Sequence, residues 1–274
     1  MLEIGINTNN ECGESFYDTC NNIKETGFGS VMIALLRGQE EKQFECVKNF
    51  GLNIQFVHLD NSSNDMWVQG YSHDKQKAVY KKQIDMCAKY GVPIAILHAT
   101  IGDPCYKVIT PNDYALNEFK NLVEYAKTKN VLLALENVDD NSYEHFSFLL
   151  NNIESDNFGF CYDVGHHNLY NKNINFINLY GERLFAVHLH DNWGNYKIGD
   201  DFTHDLHLLP FDGNIDFEKV IQQLKKVQYK NAIMLEVHKS PVGEPKIYND
   251  LTNLEFLNKA KYTAEKLIGM IRLK

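Results

Sequence analysis

The feature that most constrains this chain is a repeated unit: an amphipathic helix, a glycine, then a short apolar run. It reads KETGFGSVMIAL around Gly27, VKNFGLNIQFVHL around Gly51 and CAKYGVPIAILHA around Gly91. A glycine just past a helix end takes the left-handed cap conformation, and the β-rich run that follows starts a strand. Helix and strand alternating at this spacing predict parallel βαβ units. Eight such runs follow one another: Leu2–Thr8, Ser30–Leu35, Asn53–His58, Pro93–His98, Val131–Glu136, Phe158–Asp163, Leu184–His190 and Ala232–Val237. Helical patterns separate them, among them Asp74–Tyr90, Asn112–Lys129, Asp216–Gln228 and Asn249–Ile271. Eight alternations without a break in composition predict one closed (β/α)8 barrel over residues 1–274. An open doubly wound sheet is the alternative, but the first βα turn lacks the G-x-G-x-x-G fingerprint often found there.

The 274 residues are 44% hydrophobic, enough for one large core. Neither a signal sequence nor a membrane-length apolar stretch is apparent, which makes a cytoplasmic location the expectation. Six cysteines (Cys12, Cys20, Cys46, Cys87, Cys105 and Cys161) are scattered without a C-x-x-C pair and read as reduced thiols. A net charge of -9, with only Arg37, Arg183 and Arg272 for bidentate phosphate contacts, disfavours a general nucleic-acid surface. The longest connection, Asn192–Asn214, is polar and rich in Gly and Asp. A loop of that length in a compact domain is usually functional.

The chemistry is announced by where polar residues fall. The third strand ends in His58, the fourth in His98 and the fifth in Glu136. The sixth ends in Asp163 with His166 close behind, the seventh carries His188 and His190, and the eighth carries Glu236. The long loop adds His204, Asp205 and His207. In a (β/α) barrel these strand ends meet at one mouth, where active sites lie. Stability does not ask for a ring of ionisable groups there, and burying charge without a partner is costly. A divalent cation satisfies both residue types, compensating carboxylates and taking imidazole lone pairs. The histidine content favours zinc, while the carboxylates also suit manganese, cobalt or magnesium.

Taken singly, any one of these histidines fits a hydrogen-bonded structural role; it is the joint pattern that points to metal. Asp191 should face away from the metal and fix the loop. Cys161, one layer below Asp163, should fill the barrel interior. His73 and His145 read as surface helix residues, and His167 as a neighbour of the site rather than a ligand. His190 and Trp193 are candidates for substrate contact. Trp67 and Trp193 either stack on a substrate ring or cover the rim. Lys107, Lys197, Lys239 and Arg37 lie in candidate mouth loops, where they either hold a phosphate or are solvated.

At these residues the chain resembles the xylose isomerase-like TIM-barrel superfamily along essentially its whole length. The matching segments are LEN at Glu136, D-V-G-H from Asp163 to His166, H-L-H-D-N from His188 to Asn192, D-L-H from Asp205 to His207, and LE at Glu236. The resemblance implies a core metal on Glu136, Asp163, His188 and Glu236. It also implies that the two glutamates act as acid and base on a substrate carbon, with an enediolate stabilised by the metal and His166 touching substrate. The expectation is an isomerase or epimerase of a small sugar, polyol or sugar phosphate. Two departures from the ketose 3-epimerase pattern stand out: Ser142 replaces a substrate-binding glutamate, and no arginine follows His188 in the next loop.

Endonuclease IV, of the same superfamily, is similar at nine metal positions: His58, His98, Glu136, Asp163, His166, His188, Asp205, His207 and Glu236. That likeness implies up to three zinc ions and an alternative function, hydrolysis of a phosphodiester in abasic-site DNA repair. Here too the chain departs: LPFDG replaces a glycine-rich turn, and D-V-G-H-H-N replaces a D-T-C-H-A-F type of segment. A third alternative is a regulatory or sugar-binding barrel that holds metal without turnover. Relatives are often dimers or tetramers, so a homo-oligomer is open.

Overall fold

The structure, a computed structural model, describes residues 2–60, 63–100, 110–195, 202–241, 243 and 246–272. Its strands are β1 (Ile4–Asn7), β2 (Ser30–Ala34), β3 (Asn53–His58), β4 (Ile94–His98), β5 (Leu132–Glu136), β6 (Phe158–Asp163), β7 (Leu184–His188) and β8 (Ile233–Leu235). All pairings are parallel, in the order β7-β6-β5-β4-β3-β2-β1-β8. A parallel bridge between Leu189 and Leu235 joins the two ends of that row and closes the barrel. The eight-stranded expectation holds, with most strands trimmed at one or both ends.

Helices fill the intervals: α1 (Phe16–Glu25), α2 (Glu40–Asn49), α3 (Tyr71–Tyr90), α4 (Asp113–Thr128), α5 (Tyr143–Asn152), α6 (Val164–Leu169), α7 (Phe176–Tyr180), α8 (Phe217–Lys226) and α9 (Asn253–Arg272). Gly27, Gly51 and Gly91 carry the left-handed φ values of 78°, 64° and 72° that helix exit requires. None of the helices among the described residues is long and apolar enough to cross a membrane.

Two cores result. The larger lies between the barrel and its helices. The smaller fills the barrel with Met32, Phe56, Ile94, Ile96, Ala134, Cys161, Ala186, Ala232 and Met234, so Cys161 takes its expected interior place. A filled interior leaves no passage through the barrel and confines ligands to the mouth. Register then sets the site: His98 pairs beside Glu136, and Asp163 beside His188, so strand-end donors on neighbouring strands sit at one level.

Two surface assignments are corrected. His73 is fully buried, with Nδ1 3.2 Å from the Met66 carbonyl and Nε2 3.2 Å from Glu118, which Lys77 also reaches. It pins α3 to α4 and to the 3-10 turn Ser63–Trp67. His145 is buried edge-on against Trp67, with ring centroids 4.5 Å apart. Trp67 itself is buried and donates Nε1–H to the Ala99 carbonyl at 2.7 Å. In each case a helix packing on a neighbour, rather than on the barrel alone, buries a second polar face that a single-helix pattern does not reveal.

Candidate metal centre

The nine strand-end and loop residues converge, and a tenth joins them, in three groups whose ligand atoms lie within 4.8 Å of one another. The outer group is His58, His98 and Glu136; the core group is Glu136, Asp163, His188 and Glu236; the rim group is His166, His190, Asp205 and His207.

In the outer group, Glu136 Oε2 lies 3.0 Å from His58 Nε2 and 3.2 Å from His98 Nε2, and the two imidazole nitrogens are 3.1 Å apart. The Leu59 carbonyl, 2.9 Å from His58 Nδ1, accepts from that nitrogen and leaves Nε2 as a lone pair. In the core group, His188 Nδ1 lies 3.2 Å from Glu136, 3.6 Å from Asp163 and 3.0 Å from Glu236. Glu136 thus serves both groups, one oxygen each. In the rim group, Asp205 Oδ2 is 3.1 Å from His166 Nε2 and 3.2 Å from His207 Nε2.

This spacing fits a cation. Four ligands at 2.0–2.1 Å from a tetrahedral zinc are about 3.3 Å from one another. Asp205 Oδ1 is also buried without a hydrogen bond among the described residues, and an orphaned buried polar atom asks for a partner. The backbone is held to suit. Asn137 grips Asp163 by both main-chain groups, at 2.8 and 2.9 Å, and its carbonyl lies 3.0 Å from His166 Nδ1. His207 sits at φ 46°, left-handed and strained for a side chain, with its carbonyl held by the His238 amide at 2.9 Å.

Electrostatics follow from the same contacts. Burial opposes ionisation of every group here, yet His188 and then His166 hold Glu136 below the usual carboxylate range, His166 and then His190 do so for Asp163, and His188 holds Glu236 at about 2. Burial likewise opposes the His207 imidazolium, but Asp205 and then Glu236 hold it up at about 9, and His166 and His188 are raised for similar reasons. A histidine must be neutral to ligate, so cation and proton compete at these nitrogens. Zinc uptake by the metal-free protein is therefore expected to release protons, and affinity should fall as pH drops from 9 towards 6. Calorimetry in buffers of different ionisation enthalpy checks this; heats independent of the buffer would contradict it.

Above the groups opens a cavity of about 500 Å³, walled by donors from all three, including Glu136, His166, Asp205 and Glu236. His190 and Trp193, expected to touch substrate, are not among its walls. His190 is fully buried, and Trp193 packs partly buried against the larger core. Past the last ladder pair of β7 the chain bends to meet Leu208, which turns Trp193 off the mouth. His167 is next to the site, 2.6 Å from the Tyr162 hydroxyl. Arg37 forks onto Asp60 at 2.7 Å on both arms, so it is already paired; Lys239 is not in the cavity wall; Lys107 and Lys197 fall outside the described residues.

Sequence reasoning missed Asn9, Asp60, Tyr170 and His238, which also line the cavity. His238 stands two residues beyond Glu236, and strand parity carried past the ladder would have found it. Its Nδ1 lies 3.4 Å from Glu11, itself at φ 63°.

Fold and site define a (β/α)8 barrel with three groups of candidate metal donors at the C-terminal mouth of its strands. The xylose isomerase-like TIM barrel family matches residues 20–260, and the chain belongs to it. The uncharacterised protein y4fM of Sinorhizobium fredii is 29% identical over 252 residues, covering 78% of each chain. Among solved structures, a D-tagatose 3-epimerase-like protein superposes with TM-score 0.72 at 17% identity, covering 98% of each chain. D-psicose 3-epimerase from Clostridium cellulolyticum H10 does so with TM-score 0.76 at 14% identity, covering 99% of this chain and 100% of that one. At such identities the likeness shows the fold alone.

Proposed function

We propose that this protein is a divalent-metal-dependent isomerase or epimerase acting on a small sugar, polyol or sugar phosphate. The observation that carries this reading is the core group, where two buried, ionised glutamates, Glu136 and Glu236, flank one imidazole below an open cavity. When bound, a divalent cation there supplies Lewis acidity that makes a proton beside a carbonyl easier to remove. Glu136 has both oxygens held by imidazoles. Only Oε2 of Glu236 has a side-chain partner among the described residues, which leaves its Oε1 free to take and return a proton. The cavity suits a ligand of a few carbons rather than a polymer. The sugar 3-epimerases among its structural neighbours support the substrate class.

The test is solvent exchange. Protein loaded with manganese, cobalt or zinc is incubated in D2O with ketopentoses, ketohexoses and their phosphates, and deuterium at carbon is followed by NMR. The expected result is exchange with at least one substrate, reduced about 10²–10⁴-fold by Glu236→Gln. Absence of exchange across all of them would sink the proposal.

A second reading rests on a specific observation, the outer and rim groups that extend the core site. A multi-zinc phosphodiesterase would use three such groups together. Chelator-sensitive nicking of abasic-site DNA, without sugar exchange, would replace the first reading with this one.

A further inference from the structure

Two loops, one after β1 and one after β8, are stitched together beside the cavity. Asn7, the last residue of β1, accepts from the Val237 amide at 3.0 Å and donates Nδ2–H to Asn9 Oδ1 at 3.0 Å. The Lys239 amide donates to the Asn10 carbonyl at 3.1 Å, and the Ser240 amide to Glu11 Oε2 at 2.9 Å. Glu11 holds a left-handed φ of 63° there, and its other oxygen lies 3.4 Å from His238 Nδ1. A side chain in that region of backbone space costs about 1–3 kcal/mol and persists where the surroundings over-determine it, typically at ligand clamps.

His238 and Asn9 both line the cavity, and neither belongs to the three donor groups. The His238 ring leans on His207, centroids 4.8 Å apart and planes 32° apart, and 20% of its side chain stays open. Facing a carboxylate, Nδ1 carries the proton, and Nε2 is left with a lone pair. That nitrogen has no partner among the described residues. Asn9 has its Oδ1 taken by Asn7, which leaves Nδ2 with two N–H groups that meet no acceptor among the described residues. An extended chain advances at most about 3.6 Å per residue, so His238 stands within about 7 Å of Glu236, Cα to Cα. One ligand of a few carbons can reach both.

We infer that His238, positioned by Glu11, accepts a hydrogen bond from a hydroxyl of the bound polyol chain, and that Asn9 donates to an oxygen beside it. An acceptor and a donor set side by side on one wall match a pair of adjacent hydroxyls, each of which can donate and accept. The clamp thus selects ligands that carry hydroxyls beyond the carbons facing Glu236. This rests on the sugar or polyol ligand proposed above, not on the reaction proposed for it.

The probe is xylitol, a five-carbon polyol with no carbonyl to react. Zinc-loaded full-length protein is titrated with it by calorimetry for the unsubstituted chain, His238→Ala, His238→Gln, Glu11→Gln, Asn9→Ala and the double variant Glu11→Gln/His238→Ala, with zinc per chain measured in each. His238→Ala is expected to weaken xylitol about 10-fold and Asn9→Ala about 3–10-fold. His238→Gln, whose amide oxygen can accept the hydroxyl, should recover part of the loss. Glu11→Gln should lose less than His238→Ala and add nothing to it in the double variant. In the unsubstituted protein the nitrogen NMR signal of His238 Nε2, assigned by its absence from His238→Gln, should move when xylitol is added, which a purely structural histidine would not show. Asn9 is exposed, so its variant still reads the clamp should a His238 variant not fold. Unaltered xylitol affinity in His238→Ala overturns the inference, as does a loss that merely follows a loss of zinc, or an unsubstituted chain that does not bind xylitol. Binding of xylitol through His238, with no hydrogen exchange on any ketose, would remove the isomerase reading and leave this one standing.

Discussion

Glu136→Gln is expected to empty the outer and core groups together and to lower turnover by about a thousand-fold or more. The residue is the one side chain common to both groups. Oε1 faces His188 and His166 at 3.2 and 3.3 Å; Oε2 faces His58 and His98. A glutamine turns one of those oxygens into an NH2 that points donors at imidazoles whose lone pairs a cation needs, and removes the charge that offsets it. Glu236→Gln removes a candidate donor from the core group only and should keep metal in the outer and rim groups. Metal per chain by plasma mass spectrometry, read beside the D2O exchange rate, checks the pair. A Glu136→Gln protein with wild-type metal content and rate would remove Glu136 from the centre of the site.

The sequence carried this much because the relevant information is local. Parity along a strand and the strand's last residue decide which side chains reach the mouth, and both can be read by counting to His58, His98, Glu136 and Asp163. Past the last ladder pair the count loses its frame. His190 keeps the inward direction of His188, but burial, stacking on His207 and the room left by Gly165 decide that it meets donors rather than solvent. Trp193 lies three residues further on, after the chain has turned to pair Asp191 with Leu208, and its indole goes to the larger core instead. His73 and His145 were hidden for another reason. Each faces an adjacent helix or the turn at Trp67, contacts between segments far apart in the chain that no periodicity encodes. The left-handed His207 is likewise invisible to spacing, since it is held by the Glu236 carbonyl and the His238 amide, which follow β8 and lie far from it in the chain.

Asp191→Ala should be the most damaging substitution outside the three candidate donor groups, costing about 3–5 kcal/mol of folding stability. Asp191 is fully buried, and its carboxylate is turned to the backbone of the connection that follows the rim group. Its carboxylate accepts backbone N–H groups from Asn192 at 2.8 Å, and from Phe211 and Ile215 at 3.0 Å each, with Gly213 also contributing. Its own backbone exchanges two hydrogen bonds with Leu208, one residue beyond His207. Burial raises its pKa above the usual carboxylate range despite these donors, a sign of how little water reaches it. Alanine leaves the amides of the 211–215 turn without an acceptor in a space too small to rehydrate fully, and each orphaned donor costs about 1–3 kcal/mol before relaxation. The midpoint of thermal unfolding should fall by on the order of 10 °C. Asparagine retains one acceptor oxygen and should lose roughly half as much. Because the same turn anchors Asp205 and His207, zinc bound at the rim should also weaken in Asp191→Ala while the outer group, on the far side of Glu136, keeps its affinity. Urea titration and zinc competition on the two variants separate these effects. A loss below about 1 kcal/mol in Asp191→Ala would mean that the turn is held by its other contacts and that the carboxylate is incidental to it.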